Sequence, residues 1–259
     1  MRMIWLLTVA TVVCLLFLAG GYFNKIKKRI ALLGAVICIL IGGGFLLLAV
    51  LPGNSFYGKV LYKGNTKEKL VALTFDDGPY PPYTEQILAV LKEKKVPATF
   101  FLVGENAKAH PDLVREEEAQ GHLLGTHTYD HKDLLRLSGP DIRSELSAGV
   151  KIVEDITGKR PIFVRPPHGF KDFAVLEQVE ALHLRAVNWS VLPKDWTKPG
   201  VDVIVHRVVE GVKPGSIVLL HDGDSPARKA SRQQTVDALP TIIDQLREKG
   251  YIFVTVDKL

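Results

Sequence analysis

Leu70-Val71-Ala72-Leu73-Thr74-Phe75-Asp76-Asp77-Gly78-Pro79 is the stretch on which the fold turns. Its first four residues form an apolar run that reads as a buried strand, and Asp-Asp-Gly-Pro is the sharp exit from its C-terminal end. Two adjacent carboxylates at the end of a buried strand stand where an α/β enzyme places its chemistry. The same four residues also make a good turn. The choice between the two readings depends on what the rest of the chain supplies as partners.

Outward from this strand the pattern alternates. Apolar, β-branched runs predict strands over 70–75, 98–103, 122–126, 162–165, 186–189, 216–221 and 251–256. Helical periodicity lies between them, over 83–94, 108–119, 141–157, 173–182, 202–210 and 235–249. Strands alternating with helices predict a mostly parallel α/β sheet, open or closed into a barrel. A shorter strand-like segment, 57–62, precedes the series.

The chain has 259 residues, and its composition is divided. The mean hydropathy of +0.13 is high for a soluble domain, and the apolar excess sits at one end. Residues 1–51 hold no Asp or Glu, and their only charges are Arg2, Lys25, Lys27, Lys28 and Arg29. Removing those five from the 33 Lys and Arg leaves 28, equal to the 28 Asp and Glu. The net charge of +5 therefore belongs to the N-terminal segment and argues for membrane topology, not for a nucleic-acid surface. Residues 4 to about 23 and 30–51 are apolar runs long enough to span a bilayer as helices. Uninterrupted runs of this length seldom occur in a soluble core. A cleaved signal peptide is the rival for the first run, but Arg2 is a thin basic start, no small-x-small cleavage site stands near residue 20, and a second run follows. The basic loop, 24–29, predicts a cytoplasmic hairpin tip, with Met1 and everything after Pro52 outside. Gly42-Gly43-Gly44 would either let the two helices approach closely or face lipid. The expected division is 1–52 as a two-helix transmembrane hairpin, 53–67 as a linker and 68–259 as a catalytic domain. Both cysteines, Cys14 and Cys38, lie in the apolar segment, so the rest of the chain has no disulfide framework and no cysteine metal site.

The other strand ends carry chemistry too. His127 and His131 follow the third strand at i, i+4, a spacing that on a helical turn puts both imidazoles on one face to share a cation. Two histidines and a carboxylate form a recurring ligand set for catalytic zinc. Arg165-Pro166-Pro167-His168-Gly169 follows the next strand, in a turn that the prolines stiffen. Asp195-Trp196 follows the strand around Trp189, and His221-Asp222 ends the run 217–220. A histidine there is a natural general acid or base. In a parallel sheet all five strand ends share one face.

In this order, the five stretches resemble the five motifs of the NodB-type polysaccharide deacetylases, carbohydrate esterase family 4. The resemblance runs over about residues 68–258 and includes Gln234-Thr235-Val236-Asp237-Ala238-Leu239-Pro240 and Gly250-Tyr251-Ile252-Phe253-Val254-Thr255-Val256. It implies a distorted (β/α) barrel of about seven strands. It also implies roles. Asp77, His127 and His131 would hold a divalent metal. Asp76 would be the general base that takes a proton from the attacking water, paired with and oriented by Arg165. His221 would be the general acid, held by Asp195. Trp196 and Leu219 would form the pocket for the acetyl methyl, and the backbone N–H of His168 would help polarise the carbonyl. Two positions depart from the pattern: Leu192 stands where an acidic residue is common, and His168 where a tyrosine is.

The expected activity is metal-dependent N-deacetylation of a cell-envelope glycan outside a bacterial cell, releasing acetate, with peptidoglycan N-acetylglucosamine ahead of chitin-like oligosaccharides. Zinc is the expected metal, and the ligand set also accepts cobalt, nickel or manganese. A non-catalytic glycan-binding module and a hydrolase for a small non-glycan amide are the alternatives. The residues do not bear on oligomeric state.

Overall fold

Val71, Leu73 and Phe75 alternate with Ala72, Thr74 and Asp76, so the first strand buries both of its faces, as a strand of a parallel sheet with helices outside must. The structure is a computed structural model that describes residues 2–225 and 230–259. The expectation that Met1 lies outside the membrane falls on a residue beyond those described. The described residues form β1 (Leu70–Asp76), β2 (Thr99–Leu102), β3 (Leu123–Thr126), β4 (Phe163–Val164), β5 (Arg185–Ala186), β6 (Ser216–His221) and β7 (Ile252–Phe253). All pair in parallel, in the order β5-β4-β3-β2-β1-β6, with β7 on the first two residues of β1. A parallel bridge from Val191 to Val218 joins the chain beyond β5 to β6, so the strand path returns on itself as a distorted barrel.

Strand alternation separates two cores. Val71, Leu73, Phe75, Phe100, Leu102, Val218 and Leu220 face outward into an apolar layer covered by α3 (Tyr83–Lys94), α8 (Val201–Gly211) and α9 (Gln233–Glu248). Ala72, Phe101, Phe163, Val187, Trp189, Ile217 and Leu219 fill the barrel interior. Gly125 belongs to the interior series, and a side chain there would meet the Phe101 ring at 2.7 Å, so glycine is what lets β3 pass that ring.

The strands are shorter than their apolar patterns predict. β4, β5 and β7 have two residues each, because the chain leaves the ladder as soon as it begins its loop. The predicted helix 108–119 is two helices, α4 (Gly104–Ala109) and α5 (Pro111–Ala119). Pro111 cannot donate to the preceding turn and opens α5 instead. Pro240 lies inside α9, which nevertheless runs unbroken. The segment 57–62 is no strand. It contributes a single bridge, Leu61 to Val187, and Lys63 just beyond it another, to Ser216. α6 (Gly139–Thr157) and α7 (Phe173–Ala181) complete the outer layer, each with a side-chain cap, from Ser138 and Asp172.

α1 (Met3–Tyr22) and α2 (Lys28–Val50) form a hairpin, each helix long and apolar enough to cross a membrane. Their outward residues include Leu16, Leu33 and Leu40. Of the glycines singled out, Gly42 lies 3.4 Å from Ala10 by its virtual Cβ, whereas Gly43 and Gly44 face open space. The closest approach is at Gly34, where a Cβ would meet the Phe17 ring at 2.5 Å.

Candidate active site

Continuing the inward series by one step on each strand reaches a charged or polar residue. Ala72 and Thr74 lead to Asp76, Phe163 to Arg165, Gly125 to His127, and Ile217 and Leu219 to His221. Asp77 breaks the alternation. Its φ of 75° turns the backbone over, so consecutive carboxylates reach the same mouth instead of opposite faces of β1. The amide of Asn106 donates to the Asp77 carbonyl at 2.7 Å and holds that turn.

Arg165 is fully buried and its donors are directed at fixed partners. Nη1 donates to Asp76 Oδ1 at 2.6 Å and to Thr74 Oγ1 at 2.8 Å, Nη2 donates to the Asn188 carbonyl at 3.1 Å, and the guanidinium lies 4.2 Å over the Phe101 ring. This pairing occupies one oxygen of Asp76. The other, Oδ2, lies 3.7 Å from His127 Nε2 and faces the site. Burial pushes the Asp76 carboxyl up and the Arg165 charge opposes it, leaving it at about 6. It is therefore ionised at neutral pH and able to take up a proton.

His127 Nδ1 lies 2.6 Å from the Arg165 carbonyl. A carbonyl only accepts, so Nδ1 carries the proton and Nε2 presents its lone pair. Asp77 Oδ1 lies 3.5 Å from that Nε2 and 3.4 Å from His131 Nε2. It is buried and has no hydrogen-bond partner. Ligand atoms around a tetrahedral zinc with bonds of about 2.0–2.2 Å stand about 3.3–3.6 Å apart, so this orphaned oxygen and the two imidazoles fit a divalent cation. Burial lowers the pKa of both histidines, which keeps them neutral as ligands must be. The two rings do not come from a helical turn, as their spacing suggested. Residues 127–131 are a loop, with φ of 71° at Thr128 and 62° at His131, pinned by the His131 N–H to Thr128 Oγ1 and by Gly104 N–H to the Thr128 carbonyl.

On the adjacent strand β6, His221 stands in register with Asp76; its Nδ1 and Asp195 Oδ1 are 2.9 Å apart, and the His221 N–H donates to Asp195 Oδ2 at 2.9 Å. Thr235 Oγ1 donates to the same oxygen at 2.8 Å. Burial alone would raise Asp195, but His221 and these donors hold it below its ordinary value. Burial would also lower His221, but the Asp195, Asp77 and Asp76 carboxylates outweigh it and raise the imidazole to about 9. With Nδ1–H on Asp195, Nε2 is the free proton-bearing atom. Trp196 stands edge-on to His221 at 5.1 Å, partly exposed, and Leu219 lies buried two residues earlier on the same face. His168, at φ 60°, sits exposed with its ring 5.0 Å from that of His131. Leu192 is partly exposed, and Asp195 is satisfied without it.

The sequence reading did not single out Asn188, Asn106 or Asp222. Asp222 is buried beneath Gly78, accepts from Thr84 Oγ1 at 2.6 Å, and is raised by burial to about 7. Its adjacency to His221 is the one signal that could have found it; the two asparagines carry none. His122, outside the five motif stretches, is buried and held neutral, its pKa lowered by burial to about 4.

A barrel mouth that gathers an Asp/His/His cluster suited to a divalent cation, a buried Asp–Arg pair and an Asp–His pair suits hydrolysis, and hydrolases are the class this chain enters. Within it the chain belongs to the polysaccharide deacetylase family, hydrolases of amide C–N bonds; residues 63–187 match that family directly. It is 40% identical over 204 residues to a peptidoglycan-N-acetylglucosamine deacetylase of Bacillus cereus, covering 78% of this chain and 93% of that protein. It is equally 40% identical, over 202 residues, to a chitooligosaccharide deacetylase of Sinorhizobium fredii, covering 76% of this chain and 94% of that one. The solved Bc1960 peptidoglycan N-acetylglucosamine deacetylase superposes with a TM-score of 0.72 at 36% identity, over 77% of this chain and 91% of that one.

Proposed function

We propose that this chain is a metal-dependent N-deacetylase of an N-acetylglucosamine-containing glycan of the bacterial envelope, peptidoglycan first and chitin-like oligosaccharides next. The observation that carries the reading is the presence of two held proton-transfer groups, Asp76 and His221, on adjacent strands at the same mouth as the Asp/His/His cluster. Asp77, His127 and His131 would hold the cation, with zinc first by ligand type and cobalt, nickel or manganese acceptable to the same set. A divalent cation there lowers the pKa of a water and polarises the amide carbonyl.

The residues of the chain supply the proton transfers. Asp76 Oδ2 accepts a proton from the attacking water, while Arg165 keeps Oδ1 occupied and the carboxylate in one orientation. Oxygen adds to the acetyl carbon and the C–N bond breaks. His221 gives its Nε2 proton to the departing nitrogen, which will not leave as an amine anion. Asp195 holds the ring for that transfer and stabilises its cationic form. The His168 N–H is assigned to the carbonyl oxygen, and Trp196 with Leu219 to the acetyl methyl. The products are acetate and a free amine on the sugar.

Residues 1–52 are assigned as a two-span anchor with 24–29 in the cytoplasm, 53–67 as the connection, and 68–259 as the extracytoplasmic catalytic domain. Supporting this, the N-terminus of α1 and the C-terminus of α2 both meet the barrel, so the basic loop is at the far end of the hairpin.

The test is acetate release by the full chain, loaded with zinc, from chitooligosaccharides and from purified peptidoglycan. Acetate from either, lost in Asp76→Asn by about a hundredfold or more while one metal per chain is retained, is the expected result. No acetate from either, with one metal bound, would overturn the reading.

A further inference from the structure

Two consecutive barrel residues, Lys171 and Asp172, close the outer ends of both hairpin helices. Helix ends leave backbone groups without partners inside the helix. The Lys171 N–H donates to the Ala49 carbonyl at 3.1 Å and its Nζ to the Leu51 carbonyl at 2.6 Å, at the C-terminus of α2. Asp172 accepts the Met3 N–H at 3.0 Å and pairs with Arg2 Nη1 at 3.4 Å, at the N-terminus of α1. A cation thus meets the negative end of one helix dipole and a carboxylate the positive end of the other. Asp172 Oδ1 also caps α7 through the Val175 N–H at 2.9 Å. Arg2 Nη2 donates to the Leu134 and Leu135 carbonyls at 2.9 and 2.7 Å.

Apolar packing continues the joint. Met3 and Ala49 are buried in one cluster with Tyr57, Leu134, Leu135 and Leu176. Tyr57 donates its hydroxyl to the Phe45 carbonyl at 2.8 Å. Asn188 Nδ2 ties the connection to the site loop, donating to the Pro52 and Gly169 carbonyls, each at 3.1 Å. Lys171 follows the loop that carries Arg165 and His168. Lys171 is three steps along the chain from His168, a span of at most about 11 Å. The mouth of the site and the outer ends of the helices therefore share one rim of the barrel.

We propose that this joint makes hairpin and barrel one rigid unit that holds the mouth of the site at a fixed height beside the bilayer, and that the enzyme selects N-acetylated glycan tethered at the membrane surface over glycan free in solution. The inference rests on the deacetylase and spanning-hairpin readings above. A flexible 15-residue tether would let the barrel roam over about 20 Å in any orientation, whereas a rigid joint keeps the mouth facing a tethered chain and raises its effective concentration.

The test uses the full chain in phosphatidylcholine vesicles with two probes at equal bulk concentration: chitotetraose in solution, and chitotetraose joined through a short polar spacer to a dialkyl lipid in the same vesicles. The expected result is a preference of about tenfold or more in kcat/KM for the lipid-linked probe. In Arg2→Gln/Asp172→Ser that preference falls by about fivefold, while the rate on free chitotetraose stays within about twofold; serine retains the cap on α7. Arg2→Gln alone, which alters only the hairpin side, shows a smaller loss in the same direction. Spin labels at Lys25→Cys and Lys59→Cys, with Cys14 and Cys38 replaced by alanine, read the joint without any turnover. A narrow distance distribution that broadens in the double variant supports it. A broad distribution in the otherwise unaltered chain overturns the rigid joint, and equal kcat/KM on the two probes overturns the selection. No acetate from either probe overturns the deacetylase reading instead, and the label distances still decide the joint.

Discussion

Asp76 and Asp77 are neighbours in the chain with different surroundings, and backbone conformation is the reason. Asp76 ends the inward series of β1 and meets Arg165, whereas Asp77, in the left-handed region, meets two imidazoles. His221 shows the same dependence on surroundings. Its pKa of about 9 results from carboxylates outweighing burial, so the imidazole stays protonated up to that pH. A general acid must be protonated, so activity falls as pH rises through its pKa. Asp195→Asn removes the nearest carboxylate and leaves burial less opposed, which lowers the pKa of His221. The alkaline limb of the kcat/KM profile is expected to move to lower pH in that variant; a limb that stays in place would remove His221 from the role of acid. At this scale the motif residues were legible because acids, histidines and an arginine at strand ends are chemically conspicuous. Asn188 and Asn106 were not, because an asparagine matters only through the backbone groups that tertiary packing brings to it.

At the scale of elements, the seven strands of the alternating series all exist, the segment 57–62 is no strand, and β6 and β7 both return to pair with β1, an order that alternation alone does not specify. Lengths were less legible. Apolar pattern records burial, and burial continues past the last ladder hydrogen bond; residues 187–189 are buried beyond β5 although the strand has ended. His127 and His131 illustrate a second gap. Their spacing fits a helix, but the backbone joins them by a loop with two positive φ values. Gly125 tests the interior. Gly125→Ala places a methyl against the Phe101 ring and the Phe163 carbonyl, and such overpacking costs about 1–3 kcal/mol. Thermal unfolding of the variant should show a Tm lower by about 2–10 °C. An unchanged Tm would mean that β3 shifts freely, which the register of His127 against Arg165 would not allow.

At the scale of the whole molecule, the hairpin and barrel meet through charge and apolar contact. In a cysteine-free background, Lys59→Cys is expected to react with a membrane-impermeant maleimide on intact cells and Lys27→Cys only after lysis; the reverse pattern would invert the proposed topology. Removing residues 1–52 leaves Lys171 and Asp172 without their helix-end partners and uncovers Leu134, Leu135 and Tyr57. That fragment should unfold at a lower temperature than the full chain in matched detergent, and equal Tm values would show that the joint adds no stability. The sequence by itself determined the parallel α/β class, the two apolar helices with a basic loop between them, and which side chains carry charge at the strand ends. Those features are periodic or local, and a linear chain displays them directly. Only the tertiary structure decided that Asp77 turns toward His127 and His131, that Arg165 occupies one oxygen of Asp76, and that Lys171 and Asp172 cap the hairpin. Each of those depends on residues far apart in sequence whose approach is set by packing, and on backbone angles that residue identity alone leaves open.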